Sequence, residues 1–369
     1  MIIYLYTKSF GDFGGGAKSS RTTFEYLKKE NCVEQFSYVK DLKKNIKIKK
    51  PDVVLHHNRE DLIKVFKVCK KFKIPLIVTV NGLWGCGKGT NIKKKYDECF
   101  KCSLNGIIRC SLESEENVLK KIKSVLESPL RYYIIKKRLK ILNGVSGLIA
   151  IGQTLKKILE INGVKREIYI SPQPIDDSFL IKPDILKKKN KKNKKKKILF
   201  NCSWDSTKGF ILLLEAFNKL KRNDAELLII GRKINVSEKE IRPYINDKIK
   251  FIEKVPLDIM KNYYYSSDIF VFPSLIFEPF GRSWAEAALA GLPIISFKGR
   301  GGASDYLNKE NSYLIDVDAD KLAEAMNKLL DDEKLRKKIG ENARTYAKNN
   351  LAASVVVPRL IKIYREVIK

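Results

Sequence analysis

Short solid apolar runs recur along the chain at residues 2–6, 52–55, 76–80 and 145–151, and again at 198–201, 226–231, 268–272, 293–297 and 313–316. Between them, apolar residues return every three or four positions, as on one face of a helix, over 17–29, 61–72, 153–162, 210–221, 257–265 and 283–290. Three more helices are expected to finish the chain, at 321–330, 333–348 and 352–368. Solid apolar strands that alternate with helices imply parallel sheets covered on both faces. The alternation runs through twice, once on each side of a polar break. This predicts two doubly wound α/β domains, with ligands at the carboxyl ends of the strands. No apolar run approaches the roughly 18 residues of a membrane span. The longest, 148–152 and 269–277, read as buried strands.

Charge adds a second layer. The 369 residues carry 73 Lys+Arg against 42 Asp+Glu, a net charge of +31. Hydrophobic residues make up 44%, enough for a core in each domain, which excludes a wholly disordered basic chain. Residues 187–197, KKKNKKNKKKK, hold nine lysines and should stay solvated as an interdomain linker. Those nine are less than a third of the net charge, so the remaining chain is strongly basic as well. A lysine-rich surface without a partner, nucleic acid and an anionic membrane surface all suit such a balance. No helix-turn-helix, zinc-finger or RNA-recognition signature is present, so nucleic acid is not expected as a partner. Residues 120–142 are basic, amphipathic and aromatic. This suits either an interfacial membrane helix or a surface helix with snorkelling lysines. The apolar start at 1–6 lacks the basic stretch and small-residue cleavage site of a signal peptide, which points to an intracellular protein.

The densest chemistry lies in 268–302, DIFVFPSLIFEPFGRSWAEAALAGLPIISFKGRGG. A strand runs into a loop with Glu278 and Gly281, and a helix follows with Glu286. Amides at Phe280, Gly281 and Arg282 open that helix, where a phosphate is attracted by the N–H groups and the dipole. Gly281 would let a ligand approach the backbone. Glu286, one turn beyond Arg282, suits the paired hydroxyls of a ribose. Capping or solvation of the two glutamates is the plainer alternative.

This segment resembles the donor-binding signature of family 4 glycosyltransferases with the GT-B fold. The shared pattern is Pro273-Ser274, Glu278-x7-Glu286 with Phe280-Gly281 inside, then Ala287, Ala290-Gly291-x-Pro293 and Gly301-Gly302. The resemblance implies that Glu278 sits near the sugar, Glu286 holds the ribose and the Gly281–Arg282 amides hold the diphosphate. It extends more weakly over nearly the whole chain. In Ser203–Gly209, Lys208 matches the family's lysine for the leaving diphosphate, a task metal ions perform elsewhere. Ser203 stands where the family has an arginine. Gly14, Gly15 and Gly16 resemble the family's N-terminal glycine loop, for donor phosphate or acceptor, against a plain strand-to-helix turn. His57, of the pair His56–His57, fits a family histidine position. Asn81 replaces a second histidine, and it can hydrogen-bond a sugar hydroxyl without titrating.

Two features compete with this picture. Cys99 and Cys102 form one C-x2-C pair, with Cys86 and Cys110 dispersed around it, so free or variably paired thiols are preferred over a structural metal. Asp316-x-Asp318 and Asp318-x-Asp320 mimic a metal-binding D-x-D motif, but they precede a helix, where Asp is a common cap. The expected protein is therefore a GT-B, retaining, metal-independent glycosyltransferase of hexosyltransferase type. Its catalytic candidates are Glu278, Lys208, Asn81 and His57, and its donor site is Gly15, Gly16, Lys208, Glu278, Phe280, Gly281, Arg282 and Glu286. The donor is a UDP- or GDP-sugar with no further cofactor, and the acceptor is a glycan, lipid-linked or otherwise. The expected domains are 1–186 for the acceptor and 198–350 for the donor, facing a central cleft, with 351–369 crossing back to the first. The expected location is cytoplasmic, peripheral at the inner membrane face. A sugar-nucleotide epimerase and a non-catalytic basic binding protein are the alternatives.

Overall fold

The computed structural model describes all residues except 9, 12–13, 58, 87–98, 115–116, 184–194, 254 and 301. Most of the expected linker, and Gly301 of the signature, therefore lie outside the described residues. The chain forms two compact units. One comprises Met1–Pro174, Phe277–Phe280 and Val356–Lys369, and the other Ile175–Ile276 and Gly281–Val355.

The first unit holds a six-stranded sheet of β1 (Ile2–Tyr6), β2 (Cys32–Phe36), β3 (Val53–His57), β4 (Leu76–Val80), β5 (Gly147–Ala150) and β6 (Tyr169–Ile170). Its strand order is β2-β1-β3-β4-β5-β6, and every pairing is parallel. The helices are α1 (Gly15–Leu27), α2 (Val39–Ile48), α3 (Leu62–Phe72), α4 (Leu104–Ser114), α5 (Val118–Leu126), α6 (Ser128–Leu142) and α7 (Gln153–Ile161). Strands β3 and β5 are buried along their whole length, which is why they read as solid apolar runs.

The second unit repeats the plan. Its main strands are β7 (Lys196–Asn201), β9 (Ala225–Ile230), β11 (Ile249–Ile252), β12 (Ile269–Phe272), β13 (Ile294–Phe297) and β14 (Tyr313–Ile315). They pair in parallel in the order β11-β9-β7-β12-β13-β14. A short parallel pair, β8 (Trp204–Asp205) with β10 (Lys233–Asn235), stands apart. Around them run α8 (Phe210–Asn218), α9 (Leu257–Ser266), α10 (Arg282–Leu289), α11 (Ala319–Asp331) and α12 (Glu333–Asn350). The last helix, α13 (Ala353–Ile368), belongs mostly to the first unit by its residues from Val356 onward.

Several elements differ from the sequence expectation. Strand β2 and helix α2 were not expected, because β2 is a five-residue edge strand and α2 buries only Leu42 and Ile46. The stretch 120–142 is two helices, since Pro129 in the first turn of α6 forces a new start there. The last two lysines of the run are strand residues. Lys196 Nζ donates to Leu330 O at 2.6 Å, and Lys197 pairs with Glu226 at 3.6 Å. Among the described residues, no helix is long and apolar enough to cross a membrane.

Candidate functional site

Each sheet changes direction once. In the first unit, connections run from β1 outward to β2, then back across to β3, so the reversal lies between β1 and β3. In the second, they run β7 to β9 to β11 and then return to β12, so the reversal lies between β7 and β12. Such reversals leave a crevice at the strands' carboxyl ends. The candidate residues follow these four strands.

In the second unit, the loop after β7 carries Lys208 and the loop after β12 carries Pro273 and Ser274. The two are stitched together. Leu275 N donates to Thr207 O at 3.0 Å. Gly209 has φ +71°, and a Cβ on it would lie 1.9 Å from Pro273 O, so only glycine permits this approach. Asp205 Oδ1 accepts from Thr207 N at 2.8 Å and Thr207 Oγ1 at 2.7 Å, fixing the turn that presents half-buried Lys208.

Helix α10 starts at Gly281, which has φ +80°, ψ 66° and no side-chain cap. A Cβ there would meet Phe272 Cζ at 2.4 Å. Packing against β12 thus adds a second requirement for glycine beside the ligand approach suggested by the sequence. Glu286 is 1% exposed and Arg282 7%. Arg282 Nε donates to Glu286 Oε1 at 3.0 Å, and the Tyr264 hydroxyl donates to Glu286 Oε2 at 3.0 Å. Asn201 Nδ2 donates to the Tyr264 oxygen at 2.8 Å. Burial, reinforced by the Glu286 charge, pushes the Tyr264 hydroxyl well above the ordinary tyrosine range, so it stays a neutral donor. Tyr264 and Asn201 carried no signal in the sequence. They stand 22 and 85 positions before Glu286, and only the fold unites the three.

In the first unit, α1 begins after Gly14, at φ +91°, with Gly15 and Gly16 in its first turn. Ser20 Oγ donates to Gly16 O at 3.0 Å and lies 3.2 Å from His57 Nδ1. With the serine proton committed to Gly16, Nδ1 is the donor to Ser20 and Nε2 keeps its lone pair. His57 is 6% exposed, and burial, reinforced by His56, lowers its pKa to about 3. It is neutral at physiological pH. His57, Asn81, Thr79, Ser19, Thr23 and Gln173 help line a cavity of ≈ 20 Å³, room for about one water, with no charged side chain in its lining among the described residues. His56 is placed differently, stacked on Tyr6 at 5.5 Å with Nε2 3.0 Å from Glu60 O.

The structure thus gathers His57, Asn81 and Gly16 at one crevice, and Lys208, Gly281, Arg282 and Glu286 in the other unit. Glu278 and Phe280 cluster with the first unit, where neighbouring Phe277 packs edge-on against Phe100 at 6.3 Å. Phe280 is buried and Glu278 half-buried. The acidic decoy is a cap: Asp318 Oδ1 accepts from Lys321 N at 2.8 Å, while Asp316 pairs with Lys321 at 2.7 Å and Lys298 at 3.2 Å. All seven cysteines are thiols, and no cluster of three metal-ligating side chains occurs among the described residues.

Residues 181–346 match the family described as "Glycosyl transferases group 1". The spore coat protein SA of Bacillus subtilis (strain 168) is 30% identical over 187 residues, covering 47% of this chain and 49% of that protein. A capsular polysaccharide biosynthesis glycosyltransferase, CapM of Staphylococcus aureus, is 27% identical over 169 residues, 44% of each chain. The chain therefore spans about half the length of the curated relatives it matches. Solved structures align along the whole chain. HepE from Anabaena, crystallised with UDP-glucose, superposes with a TM-score of 0.73 at 14% identity, over 99% of this chain and 100% of that one. A sucrose-phosphate synthase from Thermosynechococcus elongatus gives 0.74 at 17% identity, over 99% and 98%. The fold is the expected GT-B class, two Rossmann-like units each with its own parallel sheet.

Proposed function

We propose that this chain transfers a sugar from a nucleotide-sugar donor to a glycan acceptor, lipid-linked or otherwise, with retention of anomeric configuration and without a metal. One observation carries the reading. The Lys208 loop and the Pro273 loop are bonded to each other at the reversal of a sheet, inside the segment that matches the glycosyltransferase family. HepE was crystallised with UDP-glucose, which favours a UDP-sugar over a GDP-sugar here. The epimerase and the non-catalytic binder find no counterpart among the relatives named above.

In the proposed reaction the bond between the sugar's anomeric carbon and the phosphate oxygen breaks. The acceptor oxygen bonds to that carbon on the same face, and its proton passes to the leaving phosphate. Lys208 and the α10 amides meet the charge that grows on the diphosphate, the role a metal ion would otherwise fill. Arg282 and Tyr264 hold the orientation of Glu286, the carboxylate assigned to the ribose hydroxyls. Glu278 positions the sugar. His57 at a pKa of about 3 is too weak a base for neutral pH. Its role, with Asn81, is as a neutral hydrogen-bonding partner for a hydroxyl.

A thermal-shift screen against nucleotide sugars, followed by transfer assays, tests the proposal. The cognate donor should raise Tm. Lys208→Ala should lower kcat by about 100-fold or more, as loss of one charge-stabilising donor does. EDTA should leave the rate unchanged. Wild-type turnover in Lys208→Ala, or no shift with any nucleotide sugar, would sink the assignment.

A further inference from the structure

Helix α5 is amphipathic in the wrong direction. Its buried residue is Ser124, while Val118, Leu119, Ile122 and Leu126 are all more than half exposed, Leu119 by 77% and Leu126 by 75%. On its buried side α5 presents a small hydroxyl residue, Ser124, next to two more. Ser124 O accepts from Ser128 Oγ at 2.9 Å, and Ser128 Oγ lies 3.5 Å from Ser111 Oγ, all three serines being buried. The aliphatic side chains thus have no place in the core between α4, α5 and α6. Leu112 of α4 and Leu130 and Tyr133 of α6 are also more than half exposed.

The charge around this face decides its occupant. Residues 118–142 contain eight Lys and Arg and the single acid Glu127, which is committed to Arg131 at 2.6 Å. Lys120, Lys121 and Lys123 interleave the exposed aliphatics of α5. On α6, Lys136 and Lys137 lie over the rings of Tyr132 and Tyr133, each at 5.4 Å. A second copy of this chain would set two such basic faces against each other, and like charges would oppose the pairing. Aliphatics ringed by lysines, with tyrosines alongside, complement instead a surface with an apolar interior and anionic headgroups.

We infer that the α5–α6 face docks the protein on an anionic lipid bilayer, with Leu119, Ile122 and Leu126 entering the headgroup boundary and Lys120, Lys121 and Lys123 meeting lipid phosphates. This rests on exposure and charge, and is independent of the sugar-transfer reading.

Flotation of the full chain with vesicles of phosphatidylcholine alone, or mixed with phosphatidylglycerol, tests it. Wild type should float with the anionic vesicles only. Leu119→Gln/Ile122→Gln/Leu126→Gln keeps helix-forming residues on exposed positions and should weaken partitioning on the order of a hundredfold. Lys120→Glu/Lys121→Glu/Lys123→Glu should weaken it by at least about five-fold per lysine, and it keeps the test open if the first variant fails to fold. Neither variant should change the thermal shift given by a nucleotide sugar, which separates this result from failure of the proposed activity. Three results overturn the inference: no flotation of wild type, flotation of the glutamine variant equal to wild type, or a wild-type dimer that the glutamine substitutions dissolve.

Discussion

At the end of β3 a neutral histidine shares a water-sized cavity with serine, threonine and amide side chains. Past β12, an arginine and a glutamate are buried together beneath a tyrosine. The two regions occupy the same topological position in two sheets of the same order of reversal. What differs is how tightly the surrounding backbone is specified. Beyond β7 and β12, Gly209 lies against a carbonyl and the loops share a hydrogen bond. Before α1, a Cβ on Gly14 would meet nothing within 4 Å. One crevice is held in a single shape and carries charge. The other is lined by neutral hydrogen-bonding groups.

The largest expected effect would break the charged side of the comparison. Glu286→Ala leaves Arg282 buried without that carboxylate, and unfolding in urea should show a loss of about 3–5 kcal/mol. An unchanged midpoint would mean that the pair is not structural. The glycines sharpen the contrast in backbone. Gly209→Ala should cost about 3 kcal/mol or more through its clash and its left-handed φ, whereas Gly14→Ala, with nothing to strike, should cost about 2 kcal/mol from backbone strain alone. Equal losses in the same denaturation assay would erase the difference. A pH effect marks the neutral crevice. His57 has a folded pKa of about 3, below its unfolded value, so its contribution is complete above about pH 6.5 and is lost as pH falls toward the folded value. Between pH 7.5 and pH 5 the wild type should lose about 2 kcal/mol from this group. His57→Gln should remove that part of the slope.

The same contrast explains what could be read from the sequence. The second unit's loops were legible because tight turns and buried charge need particular residues at fixed spacing: Gly209 after Lys208, and Glu286 one turn from Arg282. Alternation of solid apolar runs with helical spacing was enough for most of both sheets, but not where burial is shallow, at β2, β6, β11 and α2. Tyr264, Asn201 and Ser20 escaped notice because each acts through a partner distant in the chain, and nothing in a lone tyrosine or serine records that. Gly281 has a packing requirement as well, and Phe272 behind it is invisible to local reading. The basic, amphipathic stretch 120–142 suited a membrane helix and a plain surface helix alike, and the exposed aliphatics and buried serines show which side of α5 faces outward.

The seam between the Lys208 and Pro273 loops has a consequence for recombination. Because Thr207 bonds Leu275 and Gly209 admits the Pro273 carbonyl, neither loop can change length or path without the other. Chimeras that import these loops from a relative should therefore succeed when both segments travel as one cassette, and fail when either is exchanged alone.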